Sequence, residues 1–220
     1  MEAILFDWDG TLVDTLGALY RANVAVMAAL DLPFDEVLYR RHFAPDWRLM
    51  YRRLGVPVER LEEANERWLA AYEHGLTSVL FPGVAEALDR LAATGLPLGL
   101  VTAGDRAIVQ PQLERLGLAG RFAATVFADE ASDHKPHPAP LRRALELLAL
   151  AHRPADTAYL GDVPDDMRMA RAVGAHAVGV VSELGEADAL RAAGALEIAD
   201  SVEAWVDRFL GDRRVSARAG

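Results

Sequence analysis

Two aspartates flank one tryptophan in Asp7-Trp8-Asp9-Gly10-Thr11, directly after the apolar run Ala3-Ile4-Leu5-Phe6. Carboxylates packed at the end of a buried strand repel one another, and burial adds to the cost of their charge. A cation is therefore expected beside them. Oxygen-only ligands suit a hard divalent ion, magnesium first. The competing reading is a plain turn, because Asp-Gly is a frequent turn pair. A second acidic group stands in Gly161-Asp162-Val163-Pro164-Asp165-Asp166. Asp162 closes another apolar run, and Asp166 falls about one helical turn later. Both can face one pocket, while Asp165 reads as a helix-start residue. The competing reading is that all three acids suit a helix N-terminus.

Between these groups lie two further candidates. In Val101-Thr102-Ala103-Gly104 a hydroxyl is followed by small residues, which lets backbone amides approach an anion. A Thr-Ala-Gly turn is also ordinary without a ligand. The other candidate is Lys135, in Lys135-Pro136-His137-Pro138. It is the only lysine among 23 basic residues, the rest being arginine. A compact ammonium kept against that background suggests a positioned point charge for a phosphate. The alternative is one surviving surface lysine. His134 and His137 read as exposed loop residues, since no further ligands lie at metal-site spacing.

These residues need a scaffold that gathers strand ends. Short apolar runs recur at Leu96–Val101, Ala124–Phe127, Thr157–Leu160 and Ala177–Val181. Helix-like stretches separate them, over Val84–Thr94, Asp105–Leu116, Ala139–Leu150 and Asp165–Val173. Glycines at 95, 117 and 174 supply helix stops. Alternation of this kind predicts an α/β fold with a Rossmann-like parallel sheet, whose ligands sit at the carboxyl ends of the strands. Residues 15–82 break the rhythm with helical spacing, including helices expected over Asp46–Leu54 and Val58–His74, and no strand. They are too long for a plain crossover and predict an inserted all-α cap. The core is then 1–14 and 83–212, with hinges at Asp14-Thr15 and Phe81-Pro82-Gly83. Residues 213–220 read as a flexible polar tail.

Taken together, an acidic pair, a hydroxyl, a lysine and a second acidic pair occur in that order at strand ends. The sequence resembles the haloacid dehalogenase-like superfamily of phosphohydrolases, whose motifs read DxDGT, Ser/Thr, Lys and GDxxxD. The insertion resembles the helical cap of the subfamily holding phosphoglycolate phosphatases and β-phosphoglucomutases. Val163 departs from the Ser or Thr of many relatives. The resemblance implies a magnesium-dependent phosphomonoesterase working on a small phosphorylated metabolite, phosphoglycolate being one candidate, through an aspartyl-phosphate. It implies Asp7 as nucleophile and Asp9 as general acid and base. Asp7, Asp162 and the Asp9 carbonyl would hold Mg2+, and Asp166 would position the metal or Lys135. Thr102, Ala103 and Gly104 would hold phosphoryl oxygens, and Thr11 would orient Asp9 near the substrate.

Dehalogenase relatives lack the second acid of the first motif, so Asp9 argues against that activity. Relatives that use a Schiff-base lysine, and the mutases, place a lysine in the cap, where this chain has none. A mutase and a catalytically silent binding protein remain the alternatives. Substrate choice falls to the cap. Arg48 and Arg52, spaced i, i+4, can clamp a carboxylate or form a solvated face. His42 and Trp47 are further candidates. Trp68 and Tyr72 read as cap core, and Trp205 with Phe209 as a seam against the sheet.

Composition bounds the rest. The chain has 220 residues, 52% of them hydrophobic, and no cysteine, which excludes disulfides and thiolate chemistry. The formal charge of −10 disfavours nucleic acid and anionic membranes as partners. With no basic leader ahead of an apolar stretch, the expected location is the cytoplasm, as a monomer or homodimer.

Overall fold

Ala3–Phe6 forms β1, every residue of it buried, as a strand covered on both faces must be. In the computed structural model, which describes residues 1–72 and 78–219, this strand lies inside a six-stranded sheet. Along the chain follow β2 (Val13–Asp14), α1 (Leu16–Ala29), α2 (Glu36–His42), α3 (Trp47–Arg53), α4 (Leu61–Ala71) and β3 (Val79–Leu80). Then come α5 (Val84–Ala92), β4 (Leu98–Val101), α6 (Arg106–Arg115), β5 (Ala124–Val126), α7 (Ala139–Leu147) and β6 (Thr157–Gly161). The chain closes with α8 (Pro164–Val173), β7 (His176–Val180), α9 (Ala187–Ala193), β8 (Glu197–Ala199) and α10 (Val202–Ala219).

The sheet order is β5-β4-β1-β6-β7-β8, all parallel. Ile4 stands opposite both Leu98 and Ala158. Side chains of β1 alternate between two cores, as a period of two requires. Ile4 and Phe6 pack with Leu88, Leu91 and Trp205 of α5 and α10. Ala3 and Leu5 pack with Leu141, Leu145, Met167 and Leu190 of α7, α8 and α9. Chain order reverses at β1, with β4 on one side and β6 on the other. A crevice opens at such a switch point, outside the carboxyl ends of the strands.

The inserted helices have their own core, including Val26, Met27, Tyr39, Tyr51 and Ala64. The chain enters and leaves them through β2 and β3, which pair antiparallel with Val13 opposite Leu80. This two-strand ribbon was not expected from the sequence. Two residues carry no readable alternation. The expected helix Val58–His74 is a 3-10 turn over Val58–Arg60 followed by α4, and its end at Glu73 and His74 lies outside the described residues. Residues 213–220, expected as a flexible polar tail, have helical backbone to Ala219, and Gly220 lies outside the described residues. Among the described residues no helix is long and apolar enough to cross a membrane.

Candidate active site

Because the strands are parallel, their carboxyl ends fall on one edge. Asp7 follows β1, Thr102 follows β4 and Asp162 follows β6. Lys135 comes from the loop after β5, and Asp166 from the first turn of α8. All five are buried. Carboxylate oxygens of Asp7, Asp162 and Asp166 lie within 4.8 Å of one another.

Lys135 Nζ donates to Asp7 Oδ1 at 2.5 Å and lies 2.8 Å from Asp166 Oδ1. Asp166 is held from other sides as well. The Tyr159 hydroxyl lies 3.1 Å from its Oδ1, and Val163 N donates to its Oδ2 at 3.2 Å. Asp162 Oδ1 accepts from the Thr11 hydroxyl at 3.0 Å. Asp162 Oδ2 is buried with no hydrogen-bond partner. The Ser182 hydroxyl, whose Oγ accepts from Leu184 N and Gly185 N, favours the charged form of Asp162 as a nearby hydrogen-bonding group. Backbone approaches these acids closely. A Cβ on Gly10, at φ +78°, would stand 2.4 Å from Asp162 Oδ2, and one on Gly161 would stand 2.4 Å from Asp166 Cγ. Only glycine fits at either place.

Electrostatics follow from three acids around one ammonium. Burial holds the Asp7 carboxyl well above the usual range, Lys135 opposes it, and Asp166 and Asp162 push the same way as burial. Burial and then Asp166 push Asp162 up to about 7. For Lys135, burial pulls the ammonium down, but Asp166 and Asp7 outweigh it and hold the group above its ordinary value. Lys135 is therefore a permanent cation, and the acids are short of positive charge. A buried, unpartnered carboxylate oxygen within an all-oxygen donor set fits a hard divalent cation.

Asp9 stands slightly apart. Its Oδ1 accepts from the Thr15 hydroxyl at 2.6 Å, and burial raises its pKa against that bond. Thr15 precedes α1 without capping it, so the hydroxyl is available to Asp9. Thr11, expected to orient Asp9, donates its hydroxyl to Asp162 instead. At Thr102 the hydroxyl oxygen accepts from Gly104 N at 3.0 Å, which leaves its proton directed elsewhere. Gly104 N is thereby engaged with Thr102.

Trp8, between the two acids, ties the strand end to the insertion. Its Nε1 donates to Gln112 at 2.7 Å, and Gln112 Nε2 donates to the Tyr72 hydroxyl at 3.1 Å. Above the acids lies a cavity of about 150 Å³ between core and inserted helices, lined by Asp7, Asp9, Ala103, Gly104, Lys135 and Asp162 from below. From above it is lined by Asn23, Tyr39, Trp47, Tyr51, Trp68 and Tyr72, among others. Trp68 and Tyr72, expected as cap core, stack at 4.6 Å and form part of this wall. Arg48 and Arg52 do not line it. The Arg48 guanidinium lies over the Trp47 ring at 4.1 Å and pairs with Glu62 at 3.1 Å, and Arg52 is exposed. His42 does not line it either. Of the two readings open for Arg48 and Arg52, the structure shows the solvated face, with both residues exposed and Arg48 paired with Glu62.

The chain is similar in sequence and in fold to known proteins. The sequence profile of haloacid dehalogenase-like hydrolases matches residues 4–180. The phosphoglycolate phosphatase of Escherichia coli (strain K12) is 33% identical, over 82% of this chain and 81% of its own length. A hydrolase from Pseudomonas syringae shares the fold at a TM-score of 0.86 and 24% identity, covering 95% of this chain and 98% of that one. CbbY from Rhodobacter sphaeroides, solved in complex with phosphate, is 25% identical at a TM-score of 0.76, covering 92% and 95%.

Proposed function

The chain belongs to the haloacid dehalogenase-like hydrolase family, and on that premise we propose that its Asp7 attacks the phosphorus of a bound phosphate monoester. The enzyme is a phosphatase acting on a small phosphate ester. The observation that carries the residue assignment is the position of Asp7, with Oδ1 held by Lys135 and its carboxylate within 4.8 Å of Asp162.

The proposed steps balance as follows. An Asp7 oxygen forms a bond to phosphorus as the ester oxygen leaves with the electron pair of the broken bond. Asp9, whose raised pKa lets it carry a proton, delivers that proton to the leaving alkoxide. Asp9 then takes a proton from water as the water oxygen attacks the phosphorus of the aspartyl-phosphate. Phosphate departs and Asp7 is restored. Lys135 offsets the negative charge that otherwise keeps carboxylate and phosphate apart. Thr102 and the amides following Asp7 hold phosphoryl oxygens, and Thr15 fixes the direction of Asp9.

The cation proposed is Mg2+, held by Asp7, Asp162 and the Asp9 carbonyl. When bound it supplies further positive charge beside the phosphoryl group. Both oxygens of Asp166 are already engaged, so its part is to fix Lys135. No lysine stands in the inserted helices, which favours hydrolysis over a mutase reaction. Phosphoglycolate is the candidate substrate that the relatives' names supply. The test is phosphate release from a panel of small phosphate esters with Mg2+ and with excess chelator. Release that stops on chelation is expected. Full release in chelator contradicts the metal assignment, and no release from any ester contradicts the catalytic one.

A further inference from the structure

We propose that Gln112 is a positioning residue for the phosphatase reaction, making the aim of Asp7 and Asp9 depend on where the inserted helices stand over them. The proposal rests on the phosphatase reading above and concerns how its acid pair is held.

The first link is Trp8. Its carbonyl accepts from Leu12 N at 3.0 Å and from Val13 N at 3.1 Å, so the turn that carries the acids closes on this residue. Its ring is fully buried in the core cluster that holds Leu12, Val13 and Val109. A side chain packed on all sides transmits a push to its own backbone, and Asp7 and Asp9 are its two neighbours in the chain. The second link is α6, whose buried residues are Val109, Gln112 and Leu113. Gln112 is the polar one of these and is 1% exposed. An indole N–H can only donate, so the amide oxygen faces Trp8 and the amide nitrogen is left for Tyr72. A buried indole is satisfied by any single acceptor, a hydroxyl or a carbonyl included. Gln112 does more than that, since its other end holds the inserted helices.

The third link is α4. Asn65, Trp68, Leu69 and Tyr72 recur at helical spacing and line the cavity from above. Tyr72 closes this helix, with its ring stacked on Trp68. It also feels the acid pair. Burial first and then the Asp9 charge hold the Tyr72 phenol above its ordinary range, and the bond from Gln112 opposes them. A leaving group in the cavity meets this face of α4. Displacement of that face reaches Trp8 through one amide, and with it the carboxylates on either side. Buried hydrogen-bond chains of this kind act as a unit, so the loss of either end is felt at the other.

The experiment reads the chain of bonds with and without turnover. In the full chain, the Trp8 indole N–H signal is identified in a proton–nitrogen correlation spectrum by its loss in Trp8→Phe. It is expected to move in Tyr72→Phe, whose ring keeps its stack on Trp68, and to stay still when the same change is made in Gln112→Met. With Mg2+ and p-nitrophenyl phosphate, Gln112→Met should lower kcat by about tenfold to a hundredfold with little change in KM. Tyr72→Phe should lower kcat in wild type but not in Gln112→Met, because both break one chain. Arg115→Met is the control for a loosened insertion, since it removes a bond to the Ser78 hydroxyl without reaching Trp8. It should lower the melting temperature and leave kcat and the Trp8 signal unchanged. Wild-type kcat in Gln112→Met overturns the proposal and leaves Gln112 as the partner of a buried indole. A Tyr72→Phe effect of equal size in both backgrounds also overturns it, as does a kcat loss in Arg115→Met equal to that in Gln112→Met. If Gln112→Met does not fold, an unmoved Trp8 signal in Tyr72→Phe overturns it. If wild type hydrolyses no ester, the phosphatase reading falls, and the Trp8 signal still decides whether Tyr72 is felt at Trp8.

Discussion

The ammonium of Lys135 lies 2.5 Å from Oδ1 of Asp7, a partner 128 positions away in the chain. In a protein with arginine at every other basic position, this is the place where guanidinium does not fit. The pocket around Nζ is closed, with Lys135 4% exposed and Asp166 on its other side at 2.8 Å. A planar fork prefers two-point contacts and would pull Asp7 out of line. Lys135→Arg is expected to lower kcat by about a hundredfold or more, although the charge is kept. Turnover of the purified variant, measured with its melting temperature, checks this. Wild-type kcat would reduce the contact to a structural ion pair.

Thr15→Val should lower kcat by about tenfold to a hundredfold with little change in KM, because Asp9 loses the hydroxyl that aims it at 2.6 Å. The pH-rate profile is the second readout. Burial already raises Asp9 and the Thr15 bond opposes that, so removing the bond should move the limb due to Asp9 to higher pH. A profile and kcat equal to wild type would remove Thr15 from the reaction.

Thr11→Val should act on the cation instead. Thr11 orients Asp162 through its Oδ1, and loss of a group that positions a ligand typically costs about tenfold to a hundredfold in metal affinity. Titration of activity and of melting temperature with Mg2+ should both shift. An unchanged midpoint would leave Asp162 independent of Thr11.

The crowded acids also predict a pH dependence of stability. Asp162 has a folded pKa of about 7, above the unfolded value of about 3.9. Between these values the folded chain holds more protons than the unfolded one. The contribution is present below the lower value and is lost as pH rises through the higher one. Asp7 and Asp9 are raised in the same direction. In chelator, the melting temperature should therefore fall as pH rises from about 5 to about 8. Mg2+ should restore more stability at the higher pH, where the carboxylates are ionised. Equal Mg2+ shifts at both pH values would contradict the assignment of these acids as ligands.

Much of the site could be read from the chain because strand ends carry it. A buried apolar run followed by Asp7, Thr102 or Asp162 places each residue on the same sheet edge, whatever the helices do. The positioning hydroxyls were harder. Thr11 and Thr15 both follow the first acidic pair, and spacing does not say which acid each one meets. The signal for Thr15 was a hydroxyl residue just ahead of a helix, and it reads equally as a cap. The Trp8, Gln112 and Tyr72 chain joins residues up to 104 positions apart, which no local pattern encodes. Tyr159, which steadies Asp166 from within β6, reads as core in a fully buried strand. The arginine pair had two open readings for a different reason. Spacing of i, i+4 puts two side chains on one helix face without saying which way the face turns, and Glu62 and the Trp47 ring take Arg48. The strand Glu197–Ala199 is too short to show alternation, and the helix Ala187–Ala193 is short and mostly alanine, so neither carries a readable pattern.

The claim on which the rest depends is that Asp7 forms the bond to phosphorus. Acid quench of the enzyme during turnover of a phosphate ester with Mg2+, followed by peptide mass mapping, tests it directly. The account predicts a phosphoryl adduct on Asp7 that decays as substrate is exhausted and is absent in Asp7→Asn, a variant that folds yet turns nothing over. Turnover with no adduct on Asp7, together with about a tenth or more of wild-type activity in Asp7→Asn, would contradict it.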